Sequence, residues 1–248
     1  MQIEVALLPQ QQFDTSRSVC IVVDVLRASS SIVTLFERGA ARVIAAADID
    51  EARVLHERLP EYLLCGESGG LPPPGFAYGN SPAEFSRLDL TGKGAILATS
   101  NGTRLLAALA DAPAVLAGCL LNRTVVARAA VRIAQERDLD IAAVCSAAYG
   151  GSTFVLEDAL GAGAIVDATL AADHTLRAGD AARFARDAFL AASDDLPAAV
   201  ASSYHARELA EAGFGNDVAY CGQLDVSSLA PSLERGEDGL LVLSPYQP

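Results

Sequence analysis

Short apolar runs alternate with helical patterns along most of this chain. The run at residues 19–23 is continuous and rich in β-branched residues, which is typical of a strand buried on both faces of a parallel sheet. Residues 32–38 then have helical spacing, and Gly39 provides a common C-terminal stop. The repeated alternation predicts an α/β fold, with a largely parallel sheet and helices on both of its faces.

The same patterns predict the remaining elements. Further strands are expected at residues 41–46, 62–65, 94–98, 114–119, 141–145, 218–221 and 240–243. Further helices are expected at residues 50–59, from residue 81 onward, and at 103–109, 122–137, 156–171, 178–192 and 198–212. We expect two α/β lobes with the site between them, residues 1–124 and 125–248, although no linker composition marks the boundary.

Composition excludes several classes of protein. The 248 residues are 51% apolar, which is enough for a substantial core. The net charge is −13 and Lys93 is the only lysine, so a nucleic-acid partner is not expected. No apolar run approaches the roughly 20 residues that span a bilayer, and the N-terminus lacks the features of a signal peptide. We therefore expect a cytoplasmic protein with no membrane partner.

Cysteines and histidines do not form a recognisable metal motif. The five cysteines are widely spaced without a CxxC pair, so we predict reduced core thiols. The three histidines, His56, His174 and His205, lie in predicted helices among polar neighbours, and we predict that they occupy solvated faces.

Two loop features follow the third predicted strand. Residues 66–78 contain four glycines and three consecutive prolines, so they form a loop of a length often found in lids and binding loops. Ser81, followed by Pro82 and then by Glu84, has the pattern of a capping box at a helix start.

Polar residues collect where the predicted strands end. In parallel sheets, ligands bind beyond the carboxyl ends of the strands, so these residues are candidates for a site. In strand order they are Asp24, Arg27, Ser29 and Ser30; Glu67; Thr99, Ser100, Asn101, Gly102 and Thr103; Asn122; and Ser146, Glu157 and Asp158.

Each of these features also has an ordinary structural explanation. Asp24 is equally suited to capping a helix, and Arg27 to pairing with a surface carboxylate. The turn at residues 99–103 is either a plain strand-to-helix connection or an anion site with free backbone N–H groups. Glu157 and Asp158 point roughly 100° apart on a helix, so they need not share a ligand. Beyond the strand ends, Asp217 has the pattern of a turn residue.

The combination of residue types indicates a chemistry. Oxygen donors without a His or Cys set suit a hard cation such as Mg²⁺. A cation beside an anion-binding turn and an arginine suits hydrolysis of a phosphate ester, in which both stabilise charge on the transferring phosphoryl group. The motifs of the common phosphatase classes are absent from the sequence.

Six segments, in order between about residues 19 and 165, resemble the 2-phosphosulfolactate phosphatase family. They are residues 24–30 (DVLRASS), 65–67 (CGE), 75–82 (GFAYGNSP), 99–103 (TSNGT), 118–122 (GCLLN) and 156–163 (LEDALGAG). They are similar to the family's DVLRAST, GER, GF…GNSP, TTNGT, GxLLN and LED…AG segments. The resemblance implies an Mg²⁺-dependent enzyme of coenzyme M biosynthesis, which converts 2-phosphosulfolactate to 3-sulfolactate and phosphate.

The resemblance also implies roles for residues of this chain. Asp24, Arg27 and Glu67 are the expected catalytic residues. Mg²⁺ would be held, directly or through water, by Asp24, Glu67 and one or both of Glu157 and Asp158. The expected substrate-binding residues are Ser29, Ser30, Asn80, Ser81, Thr99, Ser100, Asn101, Gly102, Thr103 and Asn122. The expected partner is a small anionic phosphate ester, and we include a homodimer among the expected assemblies.

The chain departs from the family pattern at three places. Ser68 replaces an arginine, Ala77-Tyr78 replaces an acidic position, and Ala147-Ala148 replaces a glycine-containing turn. These departures leave open a phosphatase with another small substrate. They also leave open a binding protein for an anionic metabolite that performs no catalysis. A structural oligomer subunit, favoured by the apolar composition, would leave the polar strand ends unexplained.

Overall fold

The computed structural model of the protein describes residues 1–11, 13–236 and 238–247. Within these residues, ten strands form one mixed sheet. The strands are β1 Gln2–Ala6, β2 Ser18–Val23, β3 Arg42–Ala46, β4 Leu63–Gly66, β5 Gly94–Ala98, β6 Ala114–Gly118, β7 Asp140–Cys145, β8 Arg177–Ala178, β9 Pro231–Arg235 and β10 Leu241–Pro245.

Helices fill most of the connections. They are α1 Ala28–Glu37, α2 Ile49–Arg58, α3 Pro82–Phe85, α4 Gly102–Ala108, α5 Arg123–Arg137, α6 Leu156–Ala172, α7 Asp180–Ala192, α8 Leu196–Ala201, α9 Tyr204–Leu209 and α10 Gly215–Cys221. No helix in the described residues is long and apolar enough to cross a membrane.

The sheet order is β4-β5-β3-β10-β9-β6-β2-β7-β1-β8. Strands β4, β5 and β3 pair in parallel, as do β6, β2, β7, β1 and β8. The β9–β10 hairpin pairs antiparallel with both groups and joins them. The predicted α/β class with a largely parallel sheet is therefore confirmed. Strands from before and after residue 124 lie side by side in this sheet, and the division into two lobes there stays a prediction.

Strand β2 is buried on both faces, as its continuous apolar run predicts. Val19, Ile21 and Val23 belong to the core cluster that also contains residues of α5, α6 and α7. Cys20 and Val22 belong to the opposite cluster, together with residues of α1 and α4. The period-two alternation of side chains in a strand explains this division, and every position of β2 is therefore apolar or small.

The sheet curls around α1 and α4. Strands β2 and β5 are five positions apart in the sheet order, which corresponds to roughly 24 Å along a flat sheet. Yet α4, which directly follows β5, contacts both β2 and β3. Residues of β2, β3, β5 and β6 surround α1 and α4 in one apolar cluster. This curvature brings the carboxyl ends of β2 and β5 to the same place.

The C-terminal region departs most from the sequence prediction. The helix expected at residues 198–212 is interrupted, because the Ser203 hydroxyl caps α9 by accepting the Ala206 N–H. The strand expected at residues 218–221 is wrong, since these residues belong to α10 with Val218 and Cys221 facing the core. Strands β1, β8 and β9 were not predicted. A short apolar run fits a strand and a buried helical turn equally well, which explains the error at 218–221.

Candidate active site

A cavity of about 340 Å³ lies beyond the carboxyl ends of β2, β4 and β5. Its walls come from the strand ends, from the loop after β7 and from α9 with the turn that follows it. The lining residues are Asp24, Leu26, Arg27, Glu67, Gly69, Gly70, Asn80, Thr99, Ser100, Asn101, Ala148, Tyr149, His205, Glu208, Leu209 and Ala212. Seven predicted site residues are among them: Asp24, Arg27, Glu67, Asn80, Thr99, Ser100 and Asn101.

Asp24 follows β2 directly and starts α1. Its Oδ1 accepts the Ala28 N–H at 2.9 Å, so helix α1 begins four residues earlier than its spacing predicts. Burial raises the pKa of the Asp24 carboxyl, the Ala28 hydrogen bond opposes this, and the charge of Glu67 raises the pKa further. Asp24 thus accepts the N–H of the first residue of α1 and is also a buried carboxylate of the cavity wall.

Ser29 and Ser30 lie beneath the Asp24 loop and do not line the cavity. The Ser29 hydroxyl donates to the Val22 carbonyl at 2.9 Å and accepts the Asp24 N–H at 3.2 Å. The Ser30 hydroxyl donates to the Val25 carbonyl at 2.8 Å. Substrate binding was predicted for both serines, but their hydroxyls are used to hold the backbone that carries Asp24.

Gly102 allows α4 to approach Asp24 closely. A Cβ atom at this position would lie 2.4 Å from the Ala28 Cβ and 2.6 Å from Asp24 Oδ2. A side chain is therefore excluded where the start of α4 meets the start of α1. Gly102 itself is buried and outside the lining set, so its part in the site is steric.

Glu67 connects the ends of β4 and β5. Its Oε1 accepts the Ser100 N–H at 2.6 Å, and its Oε2 accepts the Gly70 N–H at 2.8 Å and the Ser100 hydroxyl at 3.2 Å. The preceding residue, Gly66, passes so close to Ala98 that a Cβ atom would lie 2.2 Å from the Ala98 carbonyl oxygen. The CGE segment thus aligns a carboxylate with the turn after β5.

The turn at residues 99–103 uses several of its own amides. The Thr99 N–H donates to Thr103 Oγ1 at 2.9 Å, and the Thr103 N–H donates to Thr99 Oγ1 at 3.0 Å. With the Ser100 N–H on Glu67, three of the five amides of the predicted phosphate loop are occupied. Asn101 anchors the next loop, since its Oδ1 accepts the Gly150 N–H at 2.9 Å. Some of the N–H groups of the predicted anion-binding turn are therefore used within the protein.

Arg27 is almost completely buried beside the cavity. Its Nη1 donates to Asp217 Oδ2 at 2.9 Å, its Nη2 donates to the Gly70 carbonyl at 2.9 Å, and its guanidinium lies 4.4 Å from the centre of the Phe214 ring. Arginine has five N–H donors, and these contacts use two of them. The remaining donors have no partner within the described part of the chain and are available to an anion at this wall.

Asp217 supports the site, although its sequence pattern is first of all that of a turn. It lies in the first turn of α10, and besides Arg27 it accepts the Ser81 hydroxyl at 2.6 Å and the Ala83 N–H at 3.0 Å. Ser81 in turn caps α3 by accepting the Glu84 N–H at 3.1 Å, as its capping pattern predicts. Its hydroxyl is thus occupied by α3 and Asp217, and Ser81 does not line the cavity.

Asn80, next to Ser81, does face the cavity. It is buried, and its Oδ1 has no hydrogen-bond partner among the described residues. A buried amide oxygen without a partner is costly unless a ligand, water or cation satisfies it. Asn80 is therefore a polar group on the cavity wall whose partner has to come from outside the protein.

Asn122, Glu157 and Asp158 lie outside the cavity lining. The Asn122 side chain bonds the Cys119 N–H and the Ala117 and Leu229 carbonyls, which fixes the chain after β6. Asp158 accepts the Val25 N–H at 2.9 Å and the Ala147 N–H at 3.1 Å. Burial raises the pKa of Asp158 well above its ordinary value, and the Asp24 and Glu157 charges add to this. Asp158 thereby holds the loops after β2 and β7.

Glu157 supports a histidine that the sequence analysis placed on a solvated face. Its Oε1 lies 2.9 Å from His205 Nδ1, and the His205 ring lines the cavity. Burial by itself lowers the His205 pKa, but the hydrogen bond and charge of Glu157, with the charge of Asp24, raise it overall. A pattern in sequence cannot relate residues 157 and 205, because they meet only where a side chain of α9 contacts one of α6 in the tertiary structure.

The loop after β7 covers one side of the cavity. Tyr149 takes a left-handed backbone conformation with φ of 51°, and its hydroxyl contacts the Glu208 carboxylate at 2.8 and 3.0 Å. Ala147 also has a positive φ, 58°, at one of the positions where the family pattern has a glycine-containing turn. Of the other departures, Ser68 and Ala77 are exposed and lie outside the lining set.

The five cysteines are buried and unpaired, as predicted. Burial raises the pKa of the Cys20 thiol to about 12 and that of Cys119 to about 11. Thiols in such surroundings remain protonated at neutral pH and are poor nucleophiles and metal ligands.

Charged oxygen groups, rather than thiols or a histidine cluster, define the chemistry of this cavity. Among the described residues, no group of three or more His, Cys, Asp and Glu side chains is arranged as a metal cage. Three carboxylates (Asp24, Glu67 and Glu208), a buried arginine and a histidine line the cavity at the strand ends. Such an arrangement beyond the strand ends of an α/β scaffold suits the hydrolysis of a small phosphate ester.

The model of the 2-phosphosulpholactate phosphatase family matches residues 5–236. The chain therefore belongs to this family. A protein of Deinococcus radiodurans described as a probable 2-phosphosulfolactate phosphatase is 37% identical over 239 residues, which is 96% of this chain and 95% of the relative.

Two further relatives carry the same description. The protein of Pseudothermotoga lettingae is 37% identical over 92% of this chain and 94% of its own. The protein of Carboxydothermus hydrogenoformans is 33% identical over 98% of both chains. The similarity thus extends over nearly the whole length of this chain and of its relatives.

Proposed function

We propose that this protein is a Mg²⁺-dependent phosphatase that hydrolyses 2-phosphosulfolactate to 3-sulfolactate and phosphate. The observation that carries the proposal is the meeting of Asp24, Arg27 and Glu67 around one cavity at the strand ends. Family membership supports the reaction class, and the names of the relatives support the substrate. A place in coenzyme M biosynthesis and a cytoplasmic location rest on the resemblance and on the composition.

The donor set fits Mg²⁺. This cation is commonly bound by one or two carboxylates plus substrate phosphate oxygens, and it keeps several waters. Asp24 and Glu67 are the two carboxylates at the strand ends, and Asn80 Oδ1 is a buried oxygen without a partner among the described residues. We assign the cation to Asp24 and Glu67. When bound, Mg²⁺ would neutralise charge on the phosphoryl oxygens.

Arg27 and the β5 turn provide the remaining anion contacts. Arg27 presents its unused N–H donors to the phosphoryl oxygens, and Asp217 and Phe214 hold the guanidinium in place. The Asn80 amide orients substrate oxygens at the cavity wall. Pre-oriented charge of this kind lowers the barrier, because it is not rearranged as the transition state forms.

The test is release of inorganic phosphate from 2-phosphosulfolactate and 2-phospholactate, with Mg²⁺ and with EDTA in excess. We expect turnover that EDTA abolishes and Mg²⁺ restores. Turnover that is insensitive to EDTA would refute the cation assignment. Thermal stabilisation by both compounds without phosphate release would instead indicate a binding protein. Light scattering of the purified chain tests the expected homodimer.

A further inference from the structure

His205 is presented to the cavity by a buried carboxylate. The ring is 24% exposed, and its Nδ1 lies 2.9 Å from Oε1 of Glu157, whose side chain is 0% exposed. Because Nδ1 is engaged by Glu157, the second ring nitrogen, Nε2, is the one left for the cavity. A carboxylate on one imidazole nitrogen fixes the ring orientation and favours the protonated ring.

The Glu157 carboxylate forms a hydrogen bond with the ring of this histidine. Its Oε2 has no hydrogen-bond partner among the described residues. Within those residues, the Glu157 carboxylate therefore makes its side-chain hydrogen bond to His205 alone. A buried carboxylate with a single partner attracts a positive charge strongly, because little water screens it.

The other proton carriers of the cavity wall are engaged elsewhere. Both Glu67 oxygens accept hydrogen bonds from the protein, and Asp24 Oδ1 accepts the Ala28 N–H. Glu208 is paired with the Tyr149 hydroxyl. Arginine does not release a proton at physiological pH. His205 is thus the lining residue best placed to deliver a proton.

We infer that His205, oriented by Glu157, donates a proton to the ester oxygen of the substrate as this oxygen leaves phosphorus. The inference rests on the proposed phosphatase function. In the net reaction, water supplies the oxygen that bonds to phosphorus. The bond between phosphorus and the ester oxygen breaks, its electron pair stays on the ester oxygen, and that oxygen takes the Nε2 proton. The imidazole regains a proton from the water that was consumed.

The nature of the leaving group makes this role measurable. An alkoxide of a hydroxy acid is strongly basic, so it leaves readily only when it is protonated. A nitrophenolate leaves without protonation. A histidine that acts as the acid therefore matters for alkyl phosphates and little for p-nitrophenyl phosphate, whereas a purely structural histidine affects both substrates alike.

The experiment compares the full chain with His205→Gln, Glu157→Gln and His174→Gln, all with Mg²⁺, on 2-phospholactate and p-nitrophenyl phosphate. For His205→Gln we expect kcat on phospholactate to fall by about 10²- to 10⁴-fold, and kcat on the aryl ester to fall by less than about tenfold. Glu157→Gln should cause a smaller loss with the same substrate dependence. His174 is exposed, so His174→Gln should match the wild type on both substrates.

Two kinds of result would overturn the inference. Equal losses on both esters, or full phospholactate turnover by His205→Gln, would refute it while the phosphatase function stands. No wild-type turnover of 2-phosphosulfolactate, 2-phospholactate or p-nitrophenyl phosphate would refute the phosphatase function and this inference together. His205→Ala provides a second variant, and added imidazole should restore its phospholactate turnover but not change its turnover of the aryl ester.

Discussion

Arg27 and Asp217 form a buried ion pair between residues 190 positions apart. Nη1 and Oδ2 are 2.9 Å apart, and the two side chains are 2% and 1% exposed. The same carboxylate accepts hydrogen bonds from Ser81 and Ala83. One side chain of α10 therefore positions the cavity arginine and also fixes the start of α3.

Replacing Asp217 by alanine should destabilise the protein strongly. The change leaves the Arg27 guanidinium buried without its counter-charge, which typically costs about 3–5 kcal/mol. Denaturation with urea, followed by circular dichroism, should show this fall in the free energy of unfolding. The KM for the phosphate ester should also rise, because Arg27 is no longer held at the wall.

The control for Asp217→Ala is an ion pair at the surface. Arg132 and Glu136 are 3.0 Å apart, and their side chains are 54% and 55% exposed. Exposed pairs contribute about 0–1 kcal/mol, so Arg132→Ala should change stability within that range. Similar losses in the two variants would contradict the importance given to burial of the Arg27–Asp217 pair.

Glu67→Gln should abolish activity and lower stability moderately. Both oxygens of the Glu67 carboxylate accept hydrogen bonds, whereas a glutamine side chain has a single carbonyl oxygen. One buried donor is therefore left without an acceptor, at a cost of about 1–3 kcal/mol. A chain of this length should lose roughly 2–4 °C in melting temperature per kcal/mol. Calorimetry and the phosphate-release assay measure the two effects.

Glu84→Gln is the matched control for Glu67→Gln, because Glu84 is exposed on α3. Its activity and melting temperature should remain at wild-type values. Wild-type turnover by Glu67→Gln would remove Glu67 from the catalytic set. An unchanged melting temperature would mean that the hydrogen bonds to Ser100 and Gly70 contribute little.

Gly102→Ala should reduce both stability and activity. The added Cβ would lie 2.4 Å from the Ala28 Cβ and 2.6 Å from Asp24 Oδ2, so the starts of α1 and α4 have to separate. Overpacking of this kind typically costs about 1–3 kcal/mol. Activity should fall because Asp24 shifts relative to the β5 turn.

Gly215→Ala tests whether the effect at Gly102 comes from crowding. Gly215 is also the first residue of a helix, and its φ of −57° is helical. The atom nearest to a Cβ added at this position lies 4.0 Å away. Alanine there should be neutral or stabilising by up to about 1 kcal/mol. An equal loss at both positions would show that the space around Gly102 is not the cause.

The His205–Glu157 pair should make stability depend on pH. The folded-state pKa of His205 is raised above its ordinary 6.5. The stability that the pair contributes is therefore fully present below about pH 6.5 and is lost as pH rises through the folded-state value. The difference in unfolding free energy between wild type and His205→Gln should shrink as pH increases through this range.

Chemical denaturation of both proteins between about pH 5.5 and pH 8.5 measures this difference. The charged groups that act on the ring are Glu157, Asp24 and Arg27, and all of them are present in both proteins. A difference in unfolding free energy between wild type and His205→Gln that grows with pH would contradict the prediction. An equally large difference between wild type and His174→Gln would also contradict it.

The strand pattern was predictable because it depends on local periodicity. A run such as residues 19–23, with each position apolar or small, requires two buried faces, and β2 has them. Asp24, Glu67 and Thr99 come directly after strands β2, β4 and β5, and similar local runs predict all three strands. The run at residues 218–221 was misjudged, because four apolar positions do not distinguish a strand from the buried face of a helix.

The contributions of the C-terminal region to the site were not predictable. Asp217, His205 and Glu208 lie on short helices, and polar residues there have the same sequence pattern as solvated positions. Their importance arises from contacts with Arg27, Glu157 and Tyr149, which are 190, 48 and 59 positions away. No periodicity relates residues at such separations.

By itself, the sequence determined the α/β class, the parallel strands and the polar residues at their ends, because these follow from burial and from the alternation of side chains along the chain. Only the tertiary structure decided which of those residues share a cavity. The curled sheet brings β2 to β5 across five strand positions, and the packing of α9 and α10 supplies His205 and Asp217. The physical reason is that a buried charge pairs with an opposite charge that lies close to it in space, and the order of residues along the chain does not give that distance.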